Sequence, residues 1–489
     1  MRISDFAITS LRAAESANKA NLEMAQAQKR ISTGLRVNSA ADDPGSLGVI
    51  SRLTGEIQQF VQNSAANLFS QKMLETADLA HKNVQTLLNS MLDSANLSTS
   101  STATTTSRAS NQTVVTGLLN EIDGIGLTSS FNGQNLTDGS FVNKSLNGSN
   151  SATSIKISID ALRTTELGTN TSILAAKAAS DAASATTNGA FNLAGNTTSA
   201  IDYAAGASAE TIAGFVNAAT DQTGVKATAE TRAKLKTLSD SGTISFTLNG
   251  SASGNITISD SSDLSAITTA INNISSTTGV HAETSADKTS VSLLSSQGKN
   301  IIFTAFNNDN SGTDTIQLAA VDRDDNEVNT QTISNTDGGV SAKAAVRGYV
   351  VMNSQNAFSY SMTEGAGSDF SSASSSFSSL STIDISSESG AKQAKEIISG
   401  ASQSLSDARV ELGGVMNRLK FAEDFNQGQK LSLTSARGNI IDADIALESA
   451  KLARSSIILE TSMAMIAQAN IRKELFVNLI NSSFGTRFS

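Results

Sequence analysis

The 489-residue chain has no cysteine, no tryptophan, one proline (Pro44) and two histidines. Without Cys there is no disulfide framework, no thiolate metal site and no thiol nucleophile. His81 and His281 stand far apart in sequence, so a His-rich metal centre or a catalytic triad is hard to assemble. Aromatics are 4% of residues, so compact cores must be built from Leu, Ile, Val and much Ala. Basic residues are outnumbered, and the net charge of −10 argues against nucleic acid as a partner, because phosphate neutralisation needs clustered Lys and Arg. No run approaches the ~20 apolar residues of a membrane span. The opening stretch, MRISDFAITSLRAAES, carries Asp5 and Glu15 and has no apolar signal core. If the protein leaves the cell, it is expected to do so without a cleaved signal peptide.

What is present divides into ends and a middle. Residues 1–95 and 385–480 are rich in the helix formers Ala, Leu, Gln, Glu, Lys and Arg. Ser/Thr/Gly runs at 95–115 and 365–382 bound a long polar stretch with short alternating apolar segments. At the N-terminal end Ile3, Phe6, Ser10, Ala13, Ala17, Ala20, Met24, Ala27 and Ile31 keep a 3,4 spacing, with Ser10 the one polar exception. So do Ala391 to Ala422, and a third seam runs through Ala443, Ala446, Ala450, Ala453, Ile457, Glu460, Ala464, Ala467 and Ile471, broken only by Glu460. This is the coiled-coil period, and Ala at a seam lets helices approach closely. The spacing predicts that Ala13, Ala17, Ala20, Met24 and Ile31 pack within the chain against Ala450, Ala453, Ile457 and Ala464.

Each terminal segment carries a second stripe. Leu452, Leu459 and Ile466 lie about 140° from the predicted seam, and Ile8, Leu11 and Leu22 do the same on the N-terminal segment. Exposed Leu/Ile stripes are costly on a soluble monomer. These six residues are therefore candidates for contacts with other copies of the chain; a helix buried all round in a monomeric bundle is the plainer alternative. Residues 1–34 as one helix would span about 50 Å, which favours a rod.

Asp42-Asp43 before Pro44 read as helix-cap residues, since no nucleophile, base or metal ligand accompanies them. Ile155, Ile157 and Ile159 alternate as a half-buried strand, and Asn249-Gly250 marks a hairpin turn after 243–248. Residues 212–227 repeat at 267–282, with Asn217/Asn272 and Thr223-Gly224-Val225/Thr278-Gly279-Val280 in register. Each copy reads as a short helix, a glycine turn and a strand, so a duplicated α+β module is expected at about 205–305.

Three stretches, QAQKRISTGLRVNSAADDP (26–44), RVELGGVMNRLKFAEDF (409–425) and 434–480 with NIIDADIA and ETSMAMIAQAN, closely resemble bacterial flagellin. They occur in the right order and at the right ends. The resemblance implies an α+β chain whose two termini form a long helical coiled-coil rod, with a β-rich, α+β outer domain inserted in the middle. It implies three layers: a terminal coiled-coil core domain from 1–42 with 446–489, a helical rod domain with a β-hairpin from 43–170 with 380–445, and a variable outer domain at 171–379. It implies a structural, non-enzymatic subunit, without cofactor or metal, that polymerises with itself into the extracellular flagellar filament. Its partners would be an export chaperone and junction and cap proteins, with no nucleic acid or membrane, and it would be exported through the flagellar secretion channel.

Two departures stand out. Vertebrate innate receptors bind an Arg- and Glu-bearing helix in many flagellins. At the matching positions Gln85 and Glu121 agree, but Thr86 and Leu88 replace Arg and Asn89 replaces Glu. Weakened receptor recognition is expected, because charge-assisted contacts are lost. The ending NSSFGTRFS also runs longer than is usual in the family. Three other readings compete. A hook–filament junction protein shares the STG…DDP pattern but not the C-terminal stretch. A metallopeptidase insert would need HExxH, and only His281-Ala282-Glu283 comes near it. A surface adhesin or glycan-display role for the Ser/Thr-rich middle is the third.

Overall fold

The computed structural model describes residues 3–100, 102–142, 144–145, 155–180, 185–309, 313–335, 343–363 and 370–485. The last four residues of the long ending lie outside this set. Long helices occupy both ends: α1 (Ile3–Thr33), α2 (Pro44–Ser98) and α3 (Thr105–Thr128) before the strands, α8 (Glu388–Ile441) and α9 (Ile445–Gly485) after them. Short helices α4 (Ala209–Ala218), α5 (Thr220–Thr223), α6 (Ser265–Asn273) and α7 (Ser275–Thr278) lie between. The chain forms two compact units, residues 1–72 with 145–156 and 416–489, and residues 73–144 with 157–415.

In the first unit α1 packs along α9. The chain leaves α1 at Gly34, which takes a left-handed φ of 71°. The following residues pair with the joint between α8 and α9: Arg36 N–H donates to the Ile441 carbonyl at 2.6 Å, and Ala443 N–H to Gly34 at 2.9 Å. Asp42 ties this turn by accepting from the Asn38 and Ser39 amides, and Asp43 caps α2 by accepting from Ser46 N–H at 3.0 Å. These bonds hold both carboxyls below the usual carboxylate range, the Ser39 and Ser46 side chains being the largest causes. Pro44 then opens α2, where a missing N–H costs nothing.

The second unit has a helical end and a β-rich remainder. On α2, Leu74, Ala77, His81, Val84, Leu88, Met91 and Ala95 are buried at 3,4 spacing, and Val84, Leu88, Met91 and Ala95 share one core with Ala391, Ala394, Ile398, Ala401 and Leu405 of α8. On the part of α2 that belongs to the first unit, Leu47 and Leu68 are exposed and Asn67 is buried. Helix α3 runs through a stretch that reads as a Ser/Thr loop. Thr104 caps it by accepting from Ser107 N–H, and Thr113, Thr116 and Thr128 donate their hydroxyls back to carbonyls four residues earlier. These bonds leave the hydroxyls satisfied inside the helix, and burial of Val115, Ile122 and Gly126 on one face offsets the low helix propensity of Thr. A hairpin follows, β1 (Ser130–Phe131) and β2 (Gln134–Asn135), turning through Asn132-Gly133 with φ of 51° and 77°.

Two short strands, Lys144–Ser145 and Lys156–Ile157, pair with each other, the second within the predicted 155–159 strand. The strands from residue 168 onward are β3 (Gly168–Leu174), β4 (Lys177–Ala179), β5 (Gly189–Ala194), β6 (Thr198–Tyr203), β7 (Lys226–Lys236), β8 (Gly242–Leu248), β9 (Ser251–Ala252), β10 (Ile256–Ile258), β11 (His281–Thr284), β12 (Ser290–Ser295), β13 (Ile301–Asn308), β14 (Asp314–Val321), β15 (Glu327–Asn335), β16 (Ala344–Arg347), β17 (Tyr349–Ser354), β18 (Ser359–Thr363), β19 (Ala373–Ser374) and β20 (Ser376–Ser379). The largest sheet runs β11-β12-β7-β17-β3-β20, with β14 also on β7 and β15 beyond it. A second runs β9-β8-β13-β16-β4 with β10 on β8, and a third β19-β18-β5-β6.

The sequence repeat is a structural duplication, and it begins earlier than 205. β5-β6-α4-α5-β7 and β8-β10-α6-α7-β11 are two ββαβ modules. Phe191/Phe246, Leu193/Leu248, Ile201/Ile256, Ile212/Ile267 and Val225/Val280 are buried at equivalent places. Gly224 and Gly279 turn each copy with φ of 72° and 69°. Asn217 brackets Ala227, donating to its carbonyl at 2.9 Å and accepting from its N–H at 2.7 Å; Asn272 does the same to Ala282 at 2.9 Å and 2.9 Å. A side-chain amide here replaces a missing strand partner, which explains why Asn recurs.

Candidate assembly surface

The face of α1 turned to α9 is Ala13, Ala17, Ala20 and Ala27, all buried, with Met24 and Ile31 half-buried. The facing side of α9 differs from the sequence expectation. Glu448, Ser455 and Ser462 are buried there, and Leu452, Leu459 and Ile466 share their register and are half-buried. Ala450, Ala453, Ile457 and Ala464, the expected seam, face solvent, with Ile457 61% exposed. The two stripes of α9 are therefore exchanged: the residues assigned to neighbouring copies turn inward, and those assigned to the seam turn outward.

The physical reason is polar. Arg30 donates to Glu448 at 3.2 Å, Lys451 reaches the same carboxylate at 2.7 Å, and Ser455 donates to Glu23 at 3.4 Å. Lys451 and Arg30 hold the Glu448 carboxyl below its ordinary value, the Lys451 bond contributing most. Ser455 and Ser462 are nearly as small as Ala, so they permit the same close approach. A seam with one polar residue per turn pair scores poorly on apolar periodicity, while the cleaner Ala/Ile row scores well.

Outward rows are extensive. On α1 Ile8, Leu11 and Leu22 are exposed, Leu11 by 73% and Leu22 by 74%. On α9 Ile445, Leu447, Ile457, Met463, Ile471, Leu475 and Leu479 are exposed, and on α8 Phe421, Phe425 and Leu431. Scattered single apolar residues are ordinary on a surface; rows repeated over several turns are not.

The positions matching the receptor-binding helix lie in the second unit. Leu88 is fully buried in the helical core. Thr86 donates its hydroxyl back to Lys82, Gln85 donates to Ser402 at 2.6 Å, and Asn89 and Glu121 face solvent. His81 is buried with Nδ1 2.8 Å from the Ala77 carbonyl, and burial lowers its pKa. His281 lies exposed on β11. Among the described residues no group of three or more His, Asp or Glu could hold a metal ion, and no helix is long and apolar enough to cross a membrane.

Helices from both ends of one chain, paired through a small-residue seam and apolar on their outer faces, define a subunit of a self-assembling polymer. The chain belongs to the bacterial flagellin family. The model of the bacterial flagellin N-terminal helical region matches residues 6–142, and that of the C-terminal helical region residues 395–480. The B-type flagellin of Pseudomonas aeruginosa is 28% identical over 487 residues, covering 97% of this chain and 98% of its own. Flagellin A of Helicobacter pylori is 26% identical over 484 residues, covering 92% and 94%. A solved structure of FliC from Burkholderia pseudomallei aligns at 13% identity over 71% of this chain and 99% of that one, with a TM-score of 0.28, too low to bear on the fold. The chain is a structural subunit of the flagellar filament; its family self-polymerises and forms that extracellular filament.

Proposed function

We propose that the outward rows of α1 and α9 are the surfaces that neighbouring subunits cover in the filament. The observation that carries this is the exposure of Leu11, Leu22 and Ile457 along paired terminal helices. An Ala/Ser seam buries little apolar area, so the α1–α9 pair is weakly stable alone. It gains most of its stability when further copies cover the outer rows. Monomer thus stays soluble and polymer is stable, and contacts between unlike surfaces propagate as a helical tube rather than closing. In this reading 1–42 with 446–489 would be innermost in the filament, 43–170 with 380–445 around them, and 171–379 outward. The work is mechanical and requires no catalysis. Export proceeds unfolded through the flagellar channel with a chaperone, and junction and cap proteins contact the filament ends.

Replacing Leu11 and Leu22 together by Ser tests the reading. The monomer should keep its helical circular dichroism while polymerisation from filament seeds is lost. Unimpaired seeded growth would remove these rows from the interface.

We further propose that vertebrate innate receptors recognise this chain weakly, since Thr86, Leu88 and Asn89 offer neither guanidinium nor carboxylate. A full reporter-cell response at low dose of purified monomer would contradict this.

A further inference from the structure

In the second unit the first turns of α8 cross the outer face of the largest sheet. The crossing is closest at Gly400, where an added Cβ would stand 2.4 Å from the Thr169 Cβ. Around this crossing the helix from Lys392 to Asp407 lines a cleft of about 840 Å3 against β7 and β17. In the duplicate module the matching strand, β11, carries no such covering helix on its exposed residues His281 and Glu283. The cleft is therefore specific to the first copy.

Most of its charges are already matched. Lys392 donates to Glu230 at 3.1 Å, and Arg232 donates to the same carboxylate. Arg323 donates to Glu396, which also bonds the Asn353 side chain. Three features remain unspent. Tyr349 is only 4% exposed and lines the cleft, yet none of the described residues offers its hydroxyl a hydrogen bond. Lys226 and Lys395 line it without a carboxylate partner among the described residues. The carboxamide oxygens of Gln355, Asn356 and Gln403 lie along one wall; their NH2 groups are already engaged, those of Gln355 and Gln403 donating to Asp407 and that of Asn356 to Asn196.

The Tyr349 ring is buried while its hydroxyl opens onto the cleft without a protein partner among the described residues, a fixed donor and acceptor for a polar ligand. Amides and hydroxyls suit the alternating donors and acceptors of sugar rings. Two free ammonium groups suit a carboxylate.

We propose that this cleft binds an acidic saccharide, its ring hydroxyls taken by Tyr349 and the neighbouring carboxamides and its carboxylate by Lys395 and Lys226. The filament subunit would then carry a carbohydrate-recognition site in addition to its assembly surfaces.

The test uses the full-length monomer on a glycan array carrying uronate- and sialate-bearing glycans beside neutral ones. Selective retention of carboxylated glycans is expected. Tyr349→Phe should bind about fivefold and Lys395→Gln about tenfold more weakly, as loss of one neutral and one charge-assisted bond implies. Lys19→Gln on α1 should bind like the parent. Because the Tyr349 hydroxyl has no partner to lose, Tyr349→Phe should keep the parent melting temperature; should it fail to fold, the half-exposed Lys395 carries the test alone. No retention, equal retention of neutral glycans, competition by citrate as strong as by trigalacturonate, or parent-like binding by Lys395→Gln would each overturn the proposal.

Discussion

The exchanged stripes of α9 make a sharp prediction, because Ile457 and Leu459 are two residues apart and should behave oppositely. Leu459 is half-buried on the face of α9 turned to α1. Truncating a fully buried Leu costs about 2–5 kcal/mol, so Leu459→Ala should cost the helix pair roughly half of that, about 1–2 kcal/mol. On a pair closed by Ala and Ser, this is enough to lower monomer helicity visibly. Ile457 is 61% exposed and touches little in the single chain. Burying it in the polymer is worth about 1–2 kcal/mol, so Ile457→Ala should raise the critical concentration for seeded growth roughly tenfold. Monomer helicity should not change. Circular dichroism at 222 nm with urea titration reads the first effect, and sedimentation of seeded polymer reads the second. If Ile457→Ala melts the monomer helices as much as Leu459→Ala, the seam is on the other stripe. If it leaves the critical concentration unchanged, the outward row is not an interface.

Three more expectations come from particular side chains. Asn217→Ala strips two hydrogen bonds from Ala227 and should cost about 2 kcal/mol in urea unfolding, whereas Asn272→Ala, at a more exposed copy of the same bracket, should cost about half as much. Burial raises the Glu396 carboxyl to about 7 against the opposing pull of Arg323. A folded-state value above the unfolded one means stability is full below about pH 4.5 and is lost as pH rises through 7, here by roughly 3 kcal/mol. Glu396→Gln should flatten that fall, and the difference between the two proteins isolates it from His81, whose lowered pKa acts in the opposite sense. Leu88→Arg places a guanidinium in a sealed apolar core and should cost on the order of 3 kcal/mol or more, while Thr86→Arg with Asn89→Glu, both exposed, should leave the melting temperature unchanged and raise the receptor response in reporter cells.

Much of this architecture is written locally. Ala13, Ala17, Ala20 and Ala27 mark the inner face of α1 through spacing alone, since only one face of a helix can meet a close neighbour. Asp43-Pro44 marks the start of α2 because a cap and a fixed φ act within one turn. The repeat of Asn217 and Thr223-Gly224-Val225 at Asn272 and Thr278-Gly279-Val280 was visible because each bracket and left-handed turn demands one residue type. Its earlier half, Phe191 to Ile201 against Phe246 to Ile256, was not, because buried strand positions accept many apolar residues.

Long-range packing decided the rest. Two stripes on α9 were evident, but periodicity cannot say which one a distant helix will choose, and the chosen one contains Glu448, Ser455 and Ser462, whose partners Arg30 and Glu23 lie more than 400 residues away. Helix α3 was hidden because its threonines satisfy themselves only once helical. The cleft beside Tyr349 has no local signature at all: it exists because α8 meets the sheet at Gly400 and Thr169, and nothing in either segment alone records that they touch. Side-chain spacing is a property of a few consecutive residues, whereas the choice of partner is a property of the folded chain.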